Sequence, residues 1–479
     1  MVGLFTVSFV FFVCGACQPP PTLPGQCSTQ NMHGACPSGR GCVAGACIVD
    51  LDPGDPVVDR EQTAADFEAI WQLYDEGYAG FVAKPQVDWD ELRLRYGPGV
   101  REASTRFEAS WGVSQMVAGL GDGHAIAQDL WRCSHCGFWG EPLSNVGACL
   151  SEVNGALFVN QVVPAHRSGF LPGDELIAID GRGVESLLSD LNAQPRCHVG
   201  ASTVAMHRAR LVAGLMHRAE TDHLATLRRD GVEISLELQP SEDFAEWLPC
   251  DGRVGPVSPR THVFGVLSAE LPGDVLYIFL PAFGVFDASG RFVTAPLIEE
   301  LRGLFASAAQ RRGVILDLRG NGGGAADVYL ALSSWLYGEE TLLFACQFKE
   351  GPGHLDLGPP RGMLAEPDAT LHFDGPLAVL TNALSFSSSD FTAAFLQQTG
   401  RAKLFGASSG GGFGNAAQVR VDPAWRLTIN DILCADATGR LLEGAPPEVD
   451  FPVSYLPEDL MAGHDAVIEA ARAWLVGEH

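Results

Sequence analysis

Two segments of the chain share a pattern in which an unbroken apolar run gives way to small polar residues and then to helical periodicity. The first is 313–324, which reads GVILDLRGNGGG and precedes a helical pattern over 325–337. The second is 376–382, which leads through 385–390 into another helical pattern. Such apolar runs are typical of strands buried on both faces of a sheet. Strands that alternate with helices predict an α/β core.

We place this core at residues 258–479, and it contains a further predicted strand at 275–280. A helix is predicted after that strand, with Thr294 as its N-cap and Pro296 in its first turn. Leu297 and Leu301 belong to the apolar face of this helix. No internal repeat is evident in the core.

Residues 59–144 are predicted to form a helical subdomain that precedes the core. Apolar residues from Phe67 to Tyr74 recur at i, i+3, i+4 and i+7, which predicts a helix with one buried face. A second helical pattern covers 100–120, so two or three helices are expected before residue 121. The segment Gly121-Asp122-Gly123-His124 is expected to be the loop that ends it.

Residues 145–242 have the pattern of a separate β-rich unit. Apolar runs at 156–163 and 175–181 predict strands, and alternation at 231–238 predicts a later one. The segment SGFLPGDELIAIDG at 168–181 resembles a PDZ domain of the protease-associated kind. Such domains bind extended peptides or C-termini by adding a strand to a sheet edge. The resemblance implies an inserted PDZ-like domain, with an arbitrary small β-domain as the alternative.

The N-terminus is predicted to be a targeting signal. Residues 4–13 are apolar, a stretch too short to span a bilayer. The Cys14-Gly-Ala-Cys17 that follows resembles a bacterial lipoprotein signal, in which small residues precede a cysteine that is lipidated after cleavage. We expect residues 1–17 to be this signal and Cys17 to carry the lipid, with an ordinary secretory signal as the alternative. The protein would then be exported to the bacterial cell envelope and anchored at the periplasmic or outer surface, with the lipid as its only membrane contact.

The chain has 13 cysteines, which suits an oxidising compartment. Four of them lie in residues 18–58, a tether and linker with too few aliphatic residues to build a core. We expect two disulfides there, with a metal knot as the alternative. The pair Cys133 and Cys136 fits a structural disulfide better than a zinc or redox site. The sequence does not pair the other cysteines, which are Cys149, Cys197, Cys250, Cys346 and Cys434.

Charge narrows the class of partner. The chain carries 31 basic and 58 acidic side chains, a formal net charge of −27. An acidic surface repels phosphate backbones, so we expect no nucleic-acid partner. The length of 479 residues suggests about three domains, and 46% hydrophobic residues provide a sizeable core.

The glycine loop at 320–324 has the features of an anion-binding turn. A strand that feeds a glycine loop and then a helix directs unpaired backbone N–H groups at one place, where negative charge is stabilised. No lysine follows the glycines, so the loop does not match a GxxxxGK[ST] phosphate loop. The remaining alternatives are a site for the oxyanion of acyl transfer and a tight turn with no catalytic role.

Three segments together carry a family resemblance: DLRGNGGG at 317–324, LTNALSFSSSDFTAAF at 380–395 and GRAKLFG at 400–406. They resemble the carboxyl-terminal processing (tail-specific) serine peptidase family, from about residue 60 to the end of the chain. The resemblance implies a crotonase/ClpP-like αβ core with an N-terminal helical subdomain and an inserted PDZ-like β domain. It makes Ser387 the candidate nucleophile, three residues before Asp390, where most members have Glu.

The resemblance also selects between two kinds of catalytic base. No lysine lies between Lys403 and the C-terminus, so a Ser–Lys dyad is not expected. The other branch is similar to the tricorn core and the interphotoreceptor retinoid-binding protein repeats and uses His and Glu. Its DGH element matches His124 and its LEG element matches Glu443. A histidine base near pH 7 can activate the Ser387 hydroxyl, and a carboxylate can fix the tautomer of that histidine.

We therefore predict an exported serine-type endopeptidase with Ser387 as nucleophile, His124 as general base and Glu443 as orienter. The backbone N–H of Gly322 or Gly323, with that of Ser388, is expected to form the oxyanion hole. Substrates would be proteins or peptides, with C-termini presented by the PDZ-like domain, and we expect neither cofactor nor metal. Two alternatives remain: a catalytically silent family member that binds peptides or apolar ligands, and a surface structural protein.

Overall fold

The structure, a computed structural model, covers most of the predicted helical, PDZ-like and core regions. The predicted signal with Cys17, the pair Cys133 and Cys136, and Cys197 lie outside the described residues. The described ranges are 41–43, 46–48, 59–103, 105–129, 146–163, 169–193, 200–216, 223–239, 250–254, 265–287, 290–421 and 424–478.

Helices dominate the N-terminal part of the described chain. The Asp59 side chain accepts hydrogen bonds from the backbone amides of Glu61 and Gln62 and so begins the first long helix. The predicted apolar face of this helix is confirmed, because Phe67 and Tyr74 are fully buried. In chain order the elements are β1 (Gly41–Val43), β2 (Ala46–Ile48), α1 (Arg60–Gly77), a 3₁₀ helix (Ala79–Val82), α2 (Trp89–Glu102), α3 (Arg106–Ala118) and β3 (Ile126–Asp129).

The expected two or three helices before Gly121 are confirmed, and the helical pattern over 100–120 is divided between two of them, because α2 ends at Glu102 and α3 begins at Arg106. The Oγ1 atom of Thr105 accepts a hydrogen bond from the Glu108 amide at 3.2 Å, and the Glu108 carboxylate accepts one from the Thr105 amide at 3.3 Å. This reciprocal capping box begins a new helix. A threonine followed three residues later by glutamate is visible in the sequence, but helical periodicity does not reveal it.

A β-rich unit follows. Its strand order is β4-β5-β6-β8-β9, with β7 paired to β6, so β4 lies at an edge of the sheet. Helix α5 packs against β4, and both α4 and α5 contribute to the hydrophobic core. A disulfide joins Cys149 on β4 to Cys250, in the segment that leads into the core. The elements are β4 (Ala148–Val153), β5 (Ala156–Val162), β6 (Glu175–Ile179), β7 (Arg182–Gly183), α4 (Val184–Ala193), α5 (Val204–Leu215), β8 (Leu224–Arg229) and β9 (Val232–Glu237).

The C-terminal part is built on a sheet of order β10-β11-β14-β17-β18-β22, in which β11 to β22 run parallel. The α/β core expected from the alternation of strands and helices is confirmed. Its elements are β10 (Leu267–Leu271), β11 (Val275–Phe279), β12 (Val285–Phe286), β13 (Phe292–Val293), α6 (Ala295–Ala308), β14 (Gly313–Asp317), α7 (Ala326–Leu336), β15 (Thr341–Phe348), β16 (Arg361–Ala365), β17 (Leu377–Thr381), α8 (Ser388–Gln398), β18 (Lys403–Gly406), β19 (Ala417–Val421), β20 (Trp425–Ile429), β21 (Ile432–Ala435), β22 (Phe451–Pro452), α9 (Pro457–Ala462) and α10 (Ala466–Val476).

Helices cover both faces of this sheet. Helices α6, α7 and α8 pack against one face, and α10 packs against the other. Every residue of β14 and β17 is buried, which explains why these strands appear in the sequence as unbroken apolar runs. Among the described helices, none combines the length and apolar character needed to cross a membrane.

The expected N-cap of α6 is only partly correct. Thr294 does precede α6, and Pro296 lies in the first turn. However, the Thr294 side chain caps no backbone amide, because its hydroxyl donates a hydrogen bond to the Asp327 carboxylate at the start of α7. Thr294 therefore links two neighbouring helices of the core.

Strand β3 joins the helical N-terminal part to the core. It pairs antiparallel with β20, with Ile126 opposite Thr428. His124 lies two residues before β3, so this pairing fixes the end of the loop that carries it. A disulfide between Cys346 on β15 and Cys434 on β21 strengthens the segment that leads to Glu443.

Candidate active site

Ser387 lies at a sharp corner between β17 and α8. Its φ of 59° and ψ of −116° are unusual for a residue with a side chain. Such backbone strain persists only where the surroundings impose it, and it is common at active sites. The Ser387 amide donates a hydrogen bond to the Asp390 carboxylate at 2.8 Å, one turn into α8. Ser387 is half-buried, whereas its neighbours Phe386 and Ser388 are buried.

The glycine loop after β14 packs directly against this corner. The Phe386 amide donates a hydrogen bond to the Asn321 carbonyl at 2.8 Å, and the Ser388 hydroxyl donates one to the Gly324 carbonyl at 2.7 Å. Gly323 has a φ of +99°, and a Cβ atom at this position would lie 2.6 Å from the Ser387 Cβ. Only glycine fits here, because both the backbone conformation and the close contact exclude a side chain.

The two predicted glycine donors of the oxyanion hole differ in their hydrogen bonds. The Gly323 amide donates to Asn321 Oδ1 at 2.8 Å, so it is already engaged. The Gly322 amide has no hydrogen-bond partner within the part of the chain that the structure describes. Gly322 is therefore the better candidate of the two, together with the amide of Ser388 in the first turn of α8.

The structure brings His124 to Ser387, although 262 residues separate them in the chain. The distance from His124 Nε2 to Ser387 Oγ is 3.0 Å. The imidazole stacks on the Phe386 ring, with centroids 4.5 Å apart, and the His124 carbonyl accepts a hydrogen bond from Thr428 Oγ1. The spacing suits transfer of the hydroxyl proton to the imidazole.

Two carboxylates lie near the His124 ring. Asp122 Oδ1 is 3.7 Å from His124 Nδ1. The Glu443 carboxylate lies in the same buried group, in which one ligand atom each of Asp122, His124 and Glu443 fall within 4.8 Å of one another. His124 Nδ1 itself has no hydrogen-bond partner among the described residues. The site thus brings Glu443 to the imidazole but does not form a hydrogen bond between them.

A lysine that the sequence analysis missed belongs to the same group. Lys84, which follows the 3₁₀ helix, places its Nζ 3.0 Å from Glu443 Oε1 and also donates a hydrogen bond to the Gly121 carbonyl. The other Glu443 oxygen accepts a hydrogen bond from the Phe413 amide at 2.9 Å. No local pattern around Lys84 marks it, because its partner lies 359 residues away.

Asp122 is held by a different set of donors. Its carboxylate accepts hydrogen bonds from Tyr78 Oη and Asn430 Nδ2, both at 3.0 Å, and from the His124 amide at 2.7 Å. Burial opposes ionisation of Asp122. The positive charge of Lys84 and the His124 hydrogen bond outweigh burial, so the pKa of Asp122 lies below its ordinary value.

Glu443 has the opposite tendency. Burial and the negative charge of Asp122 raise the pKa of Glu443, while Lys84 and His124 act against this rise. The group therefore contains two carboxylates with divergent proton affinities and one ammonium that favours their ionised forms. Perturbed carboxylates of this kind are frequent at catalytic sites.

Asp390 connects the Ser387 corner to the segment before β19. Its carboxylate accepts hydrogen bonds from the amides of Gly411 at 2.8 Å and Gly412 at 2.9 Å, in addition to that of Ser387. Burial raises the pKa of Asp390 to about 7, although the hydrogen bonds from these amides favour the carboxylate form. Asp390, the acidic residue three positions after the serine, thus holds the Ser387 corner and the segment at 411–412 together.

The donors of Asp122, His124 and Glu443 are close enough to bind a metal ion together. The Lys84 ammonium already supplies a positive charge at this place, 3.0 Å from a Glu443 oxygen. This arrangement matches an acid–base group that activates a serine better than a set of metal ligands.

Comparison with known proteins places the site in a family. Residues 274–450 match the model of peptidase family S41. The α/β core of this chain matches peptidase family S41 over that span. The chain is a serine-type peptidase, and the resemblance seen in the sequence is confirmed. The matched span contains Ser387 and Glu443, whereas His124 lies before it. Use of the His-Ser-Glu branch stays a prediction.

Similar proteins extend the comparison over more of the chain. A carboxyl-terminal-processing protease from Picosynechococcus sp. is 26% identical over 349 residues, which is 70% of each chain. The structure of mature CPAF complexed with lactacystin has a TM-score of 0.66 at 14% identity, covering 88% of this chain and 98% of that one. A structure from Parabacteroides merdae ATCC 43184 has a TM-score of 0.52 at 19% identity, covering 87% and 98%. These structures share the fold of this chain.

Proposed function

We propose that this serine-type peptidase is an exported endopeptidase that hydrolyses peptide bonds through an acyl-enzyme on Ser387. The observation that carries the proposal is the 3.0 Å distance between His124 Nε2 and Ser387 Oγ at a strained corner beside a glycine loop. His124 acts as general base and Glu443 as the carboxylate that stabilises the imidazolium. The amides of Gly322 and Ser388 supply the oxyanion hole.

The reaction follows from these positions. Ser387 Oγ attacks the carbonyl carbon of the scissile bond while His124 Nε2 takes the hydroxyl proton. The negative charge that develops on the carbonyl oxygen is stabilised by the two backbone amides, each of which contributes about 3 kcal/mol to lowering the barrier. His124 then donates the proton to the leaving amine, and the C–N bond breaks to leave an ester on Ser387. In the second half, His124 takes a proton from a water molecule whose oxygen attacks the ester carbon. The bond between that carbon and Ser387 Oγ then breaks, and His124 returns the proton to Oγ.

Substitution of Ser387 tests the proposal. Ser387→Ala should abolish both hydrolysis of a broad peptide panel and labelling by a fluorophosphonate probe. Ser307→Ala is the control, because Ser307 is an exposed serine on α6 whose hydroxyl bonds only the Leu304 carbonyl of its own helix. Hydrolysis retained by Ser387→Ala would contradict the proposal. Tight peptide binding by the wild type without any turnover would support the catalytically silent alternative.

We further propose that the PDZ-like unit presents substrate C-termini. In the described part of the chain, β4 pairs only with β5, so the other edge of β4 beside α5 can accept an added strand. A peptide with a C-terminal carboxylate should be cleaved faster than the same peptide with a C-terminal amide. Equal rates for the two peptides, measured as kcat/KM, would contradict this part of the proposal.

Export and lipid anchoring at Cys17 complete the proposal. The apolar 4–13 segment before Cys17 supports it, and the two buried disulfides Cys149–Cys250 and Cys346–Cys434 fit an oxidising compartment. When the full chain is expressed in bacteria with an alkyne-palmitate label, the wild type should incorporate lipid and Cys17→Ser should not. Export without any lipid on the wild type would favour the ordinary secretory signal instead.

A further inference from the structure

Lys84 is a buried lysine, with only 5% of its surface exposed. Its ammonium contacts both halves of the base machinery. It pairs with Glu443 at 3.0 Å, and it donates a hydrogen bond to the carbonyl of Gly121, three residues before His124. A buried ammonium is costly to desolvate, so its position requires compensation by these partners.

The two carboxylates beside His124 depend on Lys84 to different degrees. Asp122 accepts hydrogen bonds from Tyr78, Asn430 and the His124 amide. Glu443 accepts one from the Phe413 amide, and Lys84 is the cation that forms an ion pair with it within the described ranges. Loss of the ammonium would therefore affect Glu443 first.

We propose that Lys84 is a positioning residue of the peptidase, which keeps Glu443 ionised and ties it to the loop that carries His124. The inference rests on the catalytic roles proposed above for Ser387, His124 and Glu443. With Asp122 and Glu443 ionised and Lys84 protonated, the group has one net negative charge. Protonation of His124 during attack then brings the group to neutrality, which stabilises the imidazolium inside a buried site.

The sign of the pH dependence follows from the charges that face Glu443. These are Asp122, Lys84 and His124, with the phenol of Tyr78 nearby. Without Lys84, burial and Asp122 act on Glu443 with less opposition, so a higher pH is needed to ionise it. This change moves the acid limb of the kcat/KM profile to higher pH.

Four variants test this role in the full-length protein. Lys84→Met should lower kcat by about 10- to 100-fold with little change in KM, and should move the acid limb upward by about one pH unit. Lys84→Arg keeps the charge and should leave the acid limb in place. In a Glu443→Gln background, Lys84→Met should have little further effect on kcat, because its partner charge is already absent. Lys403→Met is the control, since it removes an ion pair with Asp450 at the surface.

Each outcome decides between the explanations. An unmoved acid limb in Lys84→Met, or effects of Lys84→Met and Glu443→Gln that multiply independently, would overturn the inference. If Lys84→Met is too unstable for kinetic measurement, urea unfolding provides a second test. The double variant Lys84→Met/Glu443→Gln should resist urea better than Lys84→Met alone, because it does not bury Glu443 as an unpaired carboxylate. Equal or poorer resistance of the double variant would also overturn the inference. Activity retained by Ser387→Ala would show instead that the proposed function fails.

Discussion

The regions that hold the candidate nucleophile and the candidate base of this peptidase are built in different ways. The Ser387 corner is formed by the ends of two adjacent parallel strands, β14 and β17, and by the turns that follow them. Its amides have partners supplied by nearby residues, such as Asp390 and Asn321. In the base region, by contrast, Lys84 and His124 come from the N-terminal part of the chain. Glu443 comes from the core segment between β21 and β22.

This difference shows where the site depends on long-range assembly. The Ser387 corner is fixed by hydrogen bonds among neighbouring segments of one core. In the base region, buried charges face one another and His124 Nδ1 has no hydrogen-bond partner among the described residues. Catalytic hydrogen bonds are often long in the substrate-free state and shorten in the reacting complex. The base region is therefore the part in which substrate binding should change the geometry.

The largest effect should follow substitution of Glu443 in the base region. Glu443→Gln removes the charge that stabilises the imidazolium and leaves the Lys84 ammonium buried without its ion-pair partner. We expect kcat to fall by about 10²- to 10⁴-fold, as for other carboxylates that support a histidine base. The free energy of unfolding should fall by about 3–5 kcal/mol, because one partner of a buried pair is lost.

The control for Glu443→Gln is the same substitution at Glu91, which forms an exposed i,i+4 pair with Arg95. Glu91→Gln should change neither kcat nor the urea midpoint measurably. Wild-type kcat in Glu443→Gln would show that this carboxylate does not support His124. A loss of kcat in Asp122→Asn but not in Glu443→Gln would assign the role to Asp122, whose Oδ1 lies 3.7 Å from His124 Nδ1.

The next effect should follow crowding of the Ser387 corner. In Gly323→Ala the new Cβ would lie 2.6 Å from the Ser387 Cβ and 2.8 Å from the Phe386 carbonyl oxygen, at a φ of +99°. Overpacking and backbone strain should together cost about 2–5 kcal/mol of unfolding free energy. Displacement of the serine hydroxyl should lower kcat/KM by about 10²-fold.

A control substitution at Gly400 separates the effect of backbone strain from the effect of crowding against Ser387. Gly400 has a φ of +73°, but a Cβ at this position would meet no atom within 4 Å. Gly400→Ala should lower the urea midpoint through strain while kcat/KM stays unchanged. If both variants lower kcat/KM to the same extent, general destabilisation rather than contact with Ser387 explains the loss.

Asp390 should make the stability of the Ser387 corner depend on pH. Its folded-state pKa of about 7 lies above its ordinary value of 3.8, so the folded protein holds a proton that the unfolded chain has released between these values. The free energy of unfolding contributed by Asp390 must therefore fall as the pH rises from about 4 to about 7. Asp390→Asn should remove this slope, as measured by urea unfolding at a series of pH values.

The matched substitution is Asp436→Asn, which alters a half-buried carboxylate that accepts hydrogen bonds in an exposed turn. The pKa of Asp436 is lowered: burial opposes ionisation, and the hydrogen bonds from Thr438 and Arg440 outweigh it. Its contribution therefore has the opposite sign, and stability should be lost as the pH falls. A difference between wild type and Asp390→Asn that does not vary from pH 4 to 7 would show that Asp390 keeps an ordinary pKa.

The two regions also differ in how far the sequence predicts them. The Ser387 corner is encoded by contiguous residues, namely apolar runs followed by glycines or serines, so its strand-turn-helix form could be predicted. The contact between the Gly323 backbone and Ser387 follows from the pairing of β14 and β17 in one parallel sheet. Local patterns are sufficient there because neighbouring strands bring their ends to one edge.

The base region could be predicted only through the family resemblance. The segments around His124 and Glu443 match family elements, but nothing near Lys84 or Asn430 in the sequence marks them as partners of those residues. Lys84 contacts Glu443, and Asn430 contacts Asp122, only once the N-terminal part has docked on the core. Contacts over such long sequence separations leave no local pattern. Phe386 was missed for a related reason, since the slot for its ring is formed by Gly123 and Gly412 from distant segments.

The smallest effect should come from the contact between the PDZ-like unit and the base region. Ser202 Oγ, just before α5, accepts a hydrogen bond from the Gly123 amide at 3.0 Å, next to His124. Ser202→Ala removes this acceptor, which should cost about 0.5–1.5 kcal/mol of unfolding free energy and loosen the His124 loop. If this loosening costs about 1 kcal/mol in the transition state, kcat should fall roughly fivefold.

The control is Ser186→Ala, at an exposed serine on α4 that accepts a hydrogen bond from Arg182, and it should leave kcat unchanged. If Ser202→Ala also leaves kcat unchanged, the PDZ-like unit does not support the base through this contact, and the N-terminal helices and core position His124 without it.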